Sequence, residues 1–139
     1  MLKIAKEVLE NLNFVGKLNI SMLGKHSTKI ITEKVIITDE RLEHIKEHHP
    51  ELEYKEIKSI KSVIENPDFI FEDRKNIDTI LLVKKINMFN KHSRIVVKLN
   101  TRTDIQDKFN SVISFWQISE KKLGQYLRNE KIIYKKLDK

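Results

Sequence analysis

The order of hydrophobic periods along the chain predicts an α+β fold: amino-terminal helices packed on a four- to five-stranded antiparallel β-meander, with a short helix before the last strand. Three observations carry this. Residues 40–65 hold apolar side chains at helical spacing, interrupted once at Pro50. Residues 69–118 switch to four short runs that are β-branched or aromatic. Only three glycines and two prolines punctuate 139 residues, so one compact unit without an internal linker is expected.

Residues 1–33 read as a lead-in: "KEVLENL" has Val8, Leu9 and Leu12 at helical spacing, and "GKLNISMLGKHSTK", between two glycines, has hairpin or loop character. The main domain is expected over 34–139. "KVIIT" is a β-branched run, and Thr38-Asp39 then supplies a helix cap ahead of Glu40, whose charge suits a helix amino terminus. That helix runs through about His48, because Pro50 biases His49 away from helical angles. A second helix, roughly 52–65, places Ile57, Ile60, Val63 and Ile64 on one face. "FIFED", "TILLVKKI", "RIVVKLN" and "SVISFWQI" are the strands of the meander; a helix capped by Ser119 and the strand "KIIYKKL" close the chain. The two helices ahead of the strands are expected to cover one face of the sheet.

A hydrophobic content of 40% supports a buried core, and the absence of cysteine excludes disulfides, cysteine-ligated zinc, iron–sulfur clusters and thiol catalysis. The amino terminus carries Glu7 and Glu10 among its apolar residues, unlike a secretory signal, and no stretch approaches the ~20 apolar residues of a membrane span. A cytoplasmic location, in the host or in a target cell, is the expectation. With 27 Lys+Arg against 20 Asp+Glu the formal charge is +7, which favours polyanionic partners.

That excess is concentrated. Between Asp78 and Asp104 no acidic residue occurs, while Lys84, Lys85, Lys91, Arg94, Lys98 and Arg102 are all cationic and His92 can add to them. On a strand over 94–100, Arg94, Val96, Lys98 and Asn100 share one face and Ile95, Val97 and Leu99 the other. Such a face is either a solvated sheet surface guarded by lysines or a bed for a phosphate backbone.

"RLEHIKEHHPE" gathers three of the five histidines, His44, His48 and His49. His44 and His48 stand four apart, on one side of a helix, which is also a zinc-ligand spacing. The metalloprotease pattern, however, needs Glu directly after the first His, where Ile45 stands, and no third ligand is nominated. No metal and no cofactor are therefore expected. The alternatives are exposed histidines on a charged helix, or an acid and base for RNA cleavage at its own 2′-hydroxyl. The latter needs a base for that proton, an acid for the departing 5′-oxygen and cations for the charge on phosphorus.

The segments "VIITDERLEHIKEHHPE", "VIENPDFIFEDRKNIDTILLVKKI", "IVVKLNT", "NSVISFWQIS" and "YLRNEKIIYKK", in this order over about 34–136, resemble the phage-associated branch of the barnase–EndoU–colicin–RelE-like (BECR) nuclease superfamily. The resemblance implies helices on a four-stranded antiparallel sheet and a metal-independent ribonuclease of toxin, effector or phage-borne type. It makes His44 and His49, in "HI…HP", the acid–base candidates, with Lys98, Ser111 and Ser114 beside them. His48 stands where a basic residue is usual. With Arg74, Lys84, Arg94, Asn100, Thr101 and Trp116, His48 makes up the expected substrate contacts. The expected partners are RNA, such as tRNA or mRNA, and an inhibitor protein. A non-catalytic RNA-binding or adaptor domain on the same fold is the alternative.

Overall fold

The computed structural model of the chain describes residues 12–48, 54–85, 91–101 and 109–137. The expected helix in "KEVLENL" lies outside these residues except at Leu12, which is already in a strand, and His49 also lies outside them. The described elements are β1 (Leu12–Lys17), two 3-10 turns (Ile20–Met22 and Gly24–Thr28), β2 (Lys34–Thr38), α1 (Asp39–His48), α2 (Tyr54–Glu65), β3 (Phe69–Glu72), β4 (Thr79–Lys85), β5 (Lys91–Lys98), β6 (Asn110–Ser119), α3 (Glu120–Asn129) and β7 (Lys131–Lys135).

The strands form one sheet in the order β1-β2-β6-β5-β4-β3-β7. The four expected strands pair in sequence order, each antiparallel to the next, but they are the centre of a larger sheet. Seven strands replace the expected four to five, and β2 joins β6 in parallel, so the sheet is mixed rather than a simple meander. The lead-in supplies the edge: β1 pairs antiparallel with β2 through a bulge between Phe14 and Gly16. Gly16 has φ 154°, and a Cβ there would sit 3.4 Å from Ile64 Cγ2, so the bulge brings the backbone of β1 close against α2.

The two helices that precede the central strands share one face, as expected, and the third takes the opposite face. α1 and α2 lie on one side, where Ile45, Ile60, Val63 and Ile64 pack with Val35, Ile37, Ile80, Leu82, Ile95, Val97 and Phe115. Leu18, Leu23 and Ile30 of the lead-in belong to this same core. On the other side α3 sets Leu123 and Tyr126 against Phe69, Phe71, Leu81, Val83 and Ile118. Coverage on both faces explains why "TILLV" is buried throughout and reads as a continuous apolar run. The caps are those the sequence suggests: Thr38 Oγ1 accepts from Arg41 N (3.1 Å) and Ser119 Oγ from Lys122 N (3.1 Å). Asn110, fully buried, ties three strands at one point. Its Nδ2 donates to the carbonyls of Thr32 (2.8 Å) and Lys34 (3.0 Å), and its Oδ1 accepts from Asn100 N (2.8 Å).

Candidate functional site

Alternation along β5 sends Ile95 and Val97 to the α1–α2 side, and Arg94 and Lys98 to the side of α3. α3 is only ten residues long and packs over the Phe69–Phe71 region, so part of this face remains open beyond it. The opening is a groove of about 590 Å³ lined by Lys75, Asn76, Ile77, Thr79, Val96, Lys98 and Ile113. Its end wall is the β3–β4 turn. There Asp73 Oδ1 accepts from Lys75 N (2.9 Å), Asp73 Oδ2 from Asn76 Nδ2 (3.0 Å), and Asp78 takes φ 56°. Lys98 Nζ donates to Ile77 O at 3.4 Å, which holds the ammonium at the floor of the groove.

Next to the groove on the same face stands Arg94, whose neighbour along β5, Val96, lines it. The Arg94 guanidinium lies 3.7 Å from the centroid of the Trp116 ring, its Nη1 donates to Tyr126 Oη (3.0 Å) and its Nη2 to Ser114 Oγ (3.2 Å). Its Nε is buried without a hydrogen-bond partner, and among the described residues no carboxylate pairs with it. Every contact is neutral: the ring and two hydroxyls orient the guanidinium but leave its charge uncompensated, and an oxyanion is what compensates such a charge best. Ser111, half-buried, pairs across the strands with Lys98. Thus Arg94, Lys98, Ser111, Ser114 and Trp116 come together, and Arg74 stands on the rim, 3.4 Å from Glu130.

The other sequence candidates are elsewhere. Lys84 faces the α1–α2 side, where its Nζ donates to Asn66 O (2.8 Å) just beyond the end of α2 and is not turned to the basic face. Asn100 and Thr101 are buried after β5, the first bonded to Asn110 and the second bridged to Ile30, so both hold the fold together. In α1, Leu42 and Ile45 point to the core. His44 is exposed on the opposite side, in a cavity of about 630 Å³ with Thr38, Glu40, Arg41, Glu43 and Glu47. The structure therefore does not bring His44 to Lys98, Ser111 and Ser114: the sheet lies between them. His48 ends α1, and His49 lies outside the described residues.

Two groups at the site were not singled out from sequence. Tyr126 reaches Arg94 because it follows Leu123 by three on the inward side of α3, a pattern that marks burial but not the destination of the hydroxyl. Glu120, in the first turn of α3, meets the buried His92 Nε2 at 2.6 Å and so fastens the start of that helix to β5, two residues from Arg94. Among the described residues no three His, Asp or Glu side chains converge as metal ligands, and no helix is long and apolar enough to cross a membrane.

Neither a curated protein nor a solved structure matches the chain. A family model described as phage-Barnase-EndoU-ColicinE5/D-RelE like nuclease 3 matches residues 13–125, a span that runs from β1 through the 3-10 turns, α1, α2 and the central strands into α3. An α+β architecture, a basic groove on one sheet face and this match over most of its length agree: the chain belongs to the phage-Barnase-EndoU-ColicinE5/D-RelE like nuclease family.

Proposed function

We propose that the chain is an endoribonuclease that needs no metal, and that it cleaves single-stranded RNA on the open sheet face. The reading is carried by Arg94, a buried cation with neutral partners only, next to Lys98 and two serine hydroxyls. The attacking nucleophile is the substrate's own 2′-oxygen. It bonds to phosphorus as the P–O5′ bond breaks, giving a 2′,3′-cyclic phosphate and a 5′-hydroxyl. Arg94 and the Ser111 and Ser114 hydroxyls stabilise the charge that builds on the phosphoryl oxygens. The Lys98 ammonium gives a proton to the departing 5′-oxygen, and water at the open face takes the proton from the 2′-hydroxyl. His44, across the sheet, takes no part in this scheme. Inside a cell such cleavage makes the chain a toxin, and an inhibitor protein would work by covering the groove at Lys98.

The test is labelled single-stranded RNA incubated with substoichiometric protein in EDTA. Expected are multiple turnovers, cyclic phosphate ends, and resistance of both 2′-O-methyl RNA and DNA. Cleavage of the 2′-O-methyl strand, or loss of all activity in EDTA, refutes the mechanism; salt-sensitive binding without turnover establishes the non-catalytic alternative.

A further inference from the structure

Six large apolar side chains are exposed among the described residues: Phe14, Ile31, Ile77, Ile113, Ile132 and Leu137. Three of them follow the proposed RNA face. Ile77 and Ile113 line the groove itself. Phe14 stands at the end of a cross-strand row in which Phe14 pairs with Ile36, Ile36 with Ser111, Ser111 with Lys98 and Lys98 with Thr79. Paired residues on neighbouring strands project from the same face, so this row crosses the sheet on the side of Arg94. Val35 and Ile37, on either side of Ile36, are in the α1–α2 core while Ile36 is not, which fixes the same direction independently.

Two strand spacings put Phe14 about 10 Å from Ser111, and a third puts it about 14 Å from Lys98. At a stacked rise of ~3.4 Å this is a few nucleotides, and fewer for an extended strand. Phe14 stands opposite Ile36, which is only 5% exposed, yet 57% of Phe14 stays accessible. Cations at the floor of a groove with apolar side chains along its course match an unpaired nucleic-acid strand, in which charged phosphates alternate with flat apolar bases.

We propose that Phe14, with Ile113 beside the groove, is a base-stacking subsite for the RNA strand whose phosphate is held at Arg94 and Lys98. The subsite rests on the proposed function. It takes an unpaired base of any identity, because every base offers a π-face.

The experiment is an abasic scan. A 2′-O-methyl oligonucleotide, which cannot be cleaved, is made with one base removed at each position in turn, and its affinity is measured for wild type, Phe14→Ala and Phe14→Trp. Wild type should lose about tenfold at one or two positions. Phe14→Ala should bind the intact strand about tenfold more weakly and lose nothing further at those positions, and Phe14→Trp should keep the wild-type profile. A Phe14→Ala affinity equal to wild type, or losses that simply multiply at every position, overturns the subsite and leaves the Arg94 face standing; this is the result expected if the patch serves a protein partner. Failure of wild type to bind any strand at low salt overturns both readings.

Discussion

Replacing Arg94 by Met separates a functional cation from a structural one. In the folded chain the guanidinium gives up its hydration for two hydroxyl hydrogen bonds and the Trp116 face. Hydrogen bonds to a charged group contribute about 1.5–3 kcal/mol each, and the ring about 2 kcal/mol when desolvated. Against these stands the desolvation of an ion, several kcal/mol even after relaxation. The terms largely offset one another, so Arg94→Met, which keeps the apolar stem on Trp116 but leaves the Tyr126 and Ser114 hydroxyls without their donor, should cost about 1–2 kcal/mol. Its effect on cleavage should be far larger: removing one fixed donor to a developing oxyanion costs about 10²–10³ in rate. The assay pairs urea unfolding with single-turnover cleavage of labelled RNA. A variant that is destabilised by more than about 3 kcal/mol yet cleaves at the wild-type rate per folded molecule would refute the reasoning, since Arg94 would then be a fold element only.

Lys98→Ala should slow cleavage at least tenfold and reduce the slope of log affinity against log salt by about 0.7, the contribution of one phosphate contact on a single strand, as read in a salt titration. His44→Ala should leave the cleavage rate within about twofold of wild type, measured at saturating RNA, because its side chain lies across the sheet from Arg94. Burial holds the His26 imidazole below its ordinary value near 6.5, with Glu72 at 3.7 Å acting in the opposite direction. The unfolded chain therefore takes up this proton first: stability from His26 is complete above pH ~6.5 and is lost as pH falls from there through the lowered folded value. Urea midpoints between pH 7.5 and 5 should show this loss in wild type and a smaller one in His26→Leu. Asp78→Val should cost about 1–2 kcal/mol in urea unfolding because φ is 56° there, whereas Asp78→Gly should be near neutral.

The parts of the fold that the sequence made legible are those decided locally. Thr38 and Ser119 cap helices where their spacing says, and the alternation of Arg94 and Lys98 with Ile95 and Val97 assigns the two faces of β5. Long-range pairings were not legible. Leu12 belongs to β1 because β2 offers it an edge, although "KEVLENL" alone has helical spacing. The parallel contact of β2 with β6 is a consequence of where the chain returns, and nothing within "KVIIT" encodes it. The same limit applied at the site. Lys84 and Arg94 sit in one basic segment, but an even separation puts residues of the same strand together, and these two are on different strands. Pairing sets Lys84 opposite Ser93, so it shares the helical side, where the Asn66 carbonyl receives it. Tyr126 could be read as apolar and inward, but not as the partner of an arginine 32 residues earlier.

For the proposed RNA cleavage, local charge weighs more than the histidine count in choosing between the two candidate phosphate sites. Among the described residues the cavity at His44 is lined by Glu40, Glu43 and Glu47 against Arg41, so a phosphate there would meet more carboxylates than cations. Among the described residues the groove on the sheet is lined by the cations Lys75 and Lys98, Arg94 lies next to it, and the Asp73 carboxylate at its end wall is taken up by Lys75 N and Asn76 Nδ2. Each like or unlike charge at about 4 Å amounts to ~1 kcal/mol in bulk water and about 4 kcal/mol near a protein surface, with screening over ~8 Å at physiological salt. The described charges of the two linings have opposite sign, so a phosphate is favoured at the groove over the His44 cavity. Helical spacing places His44 on the acidic side of α1. The strand alternation that organises the core also collects Arg94, Lys98 and Ser114 on one face, the face on which the proposed phosphate site lies.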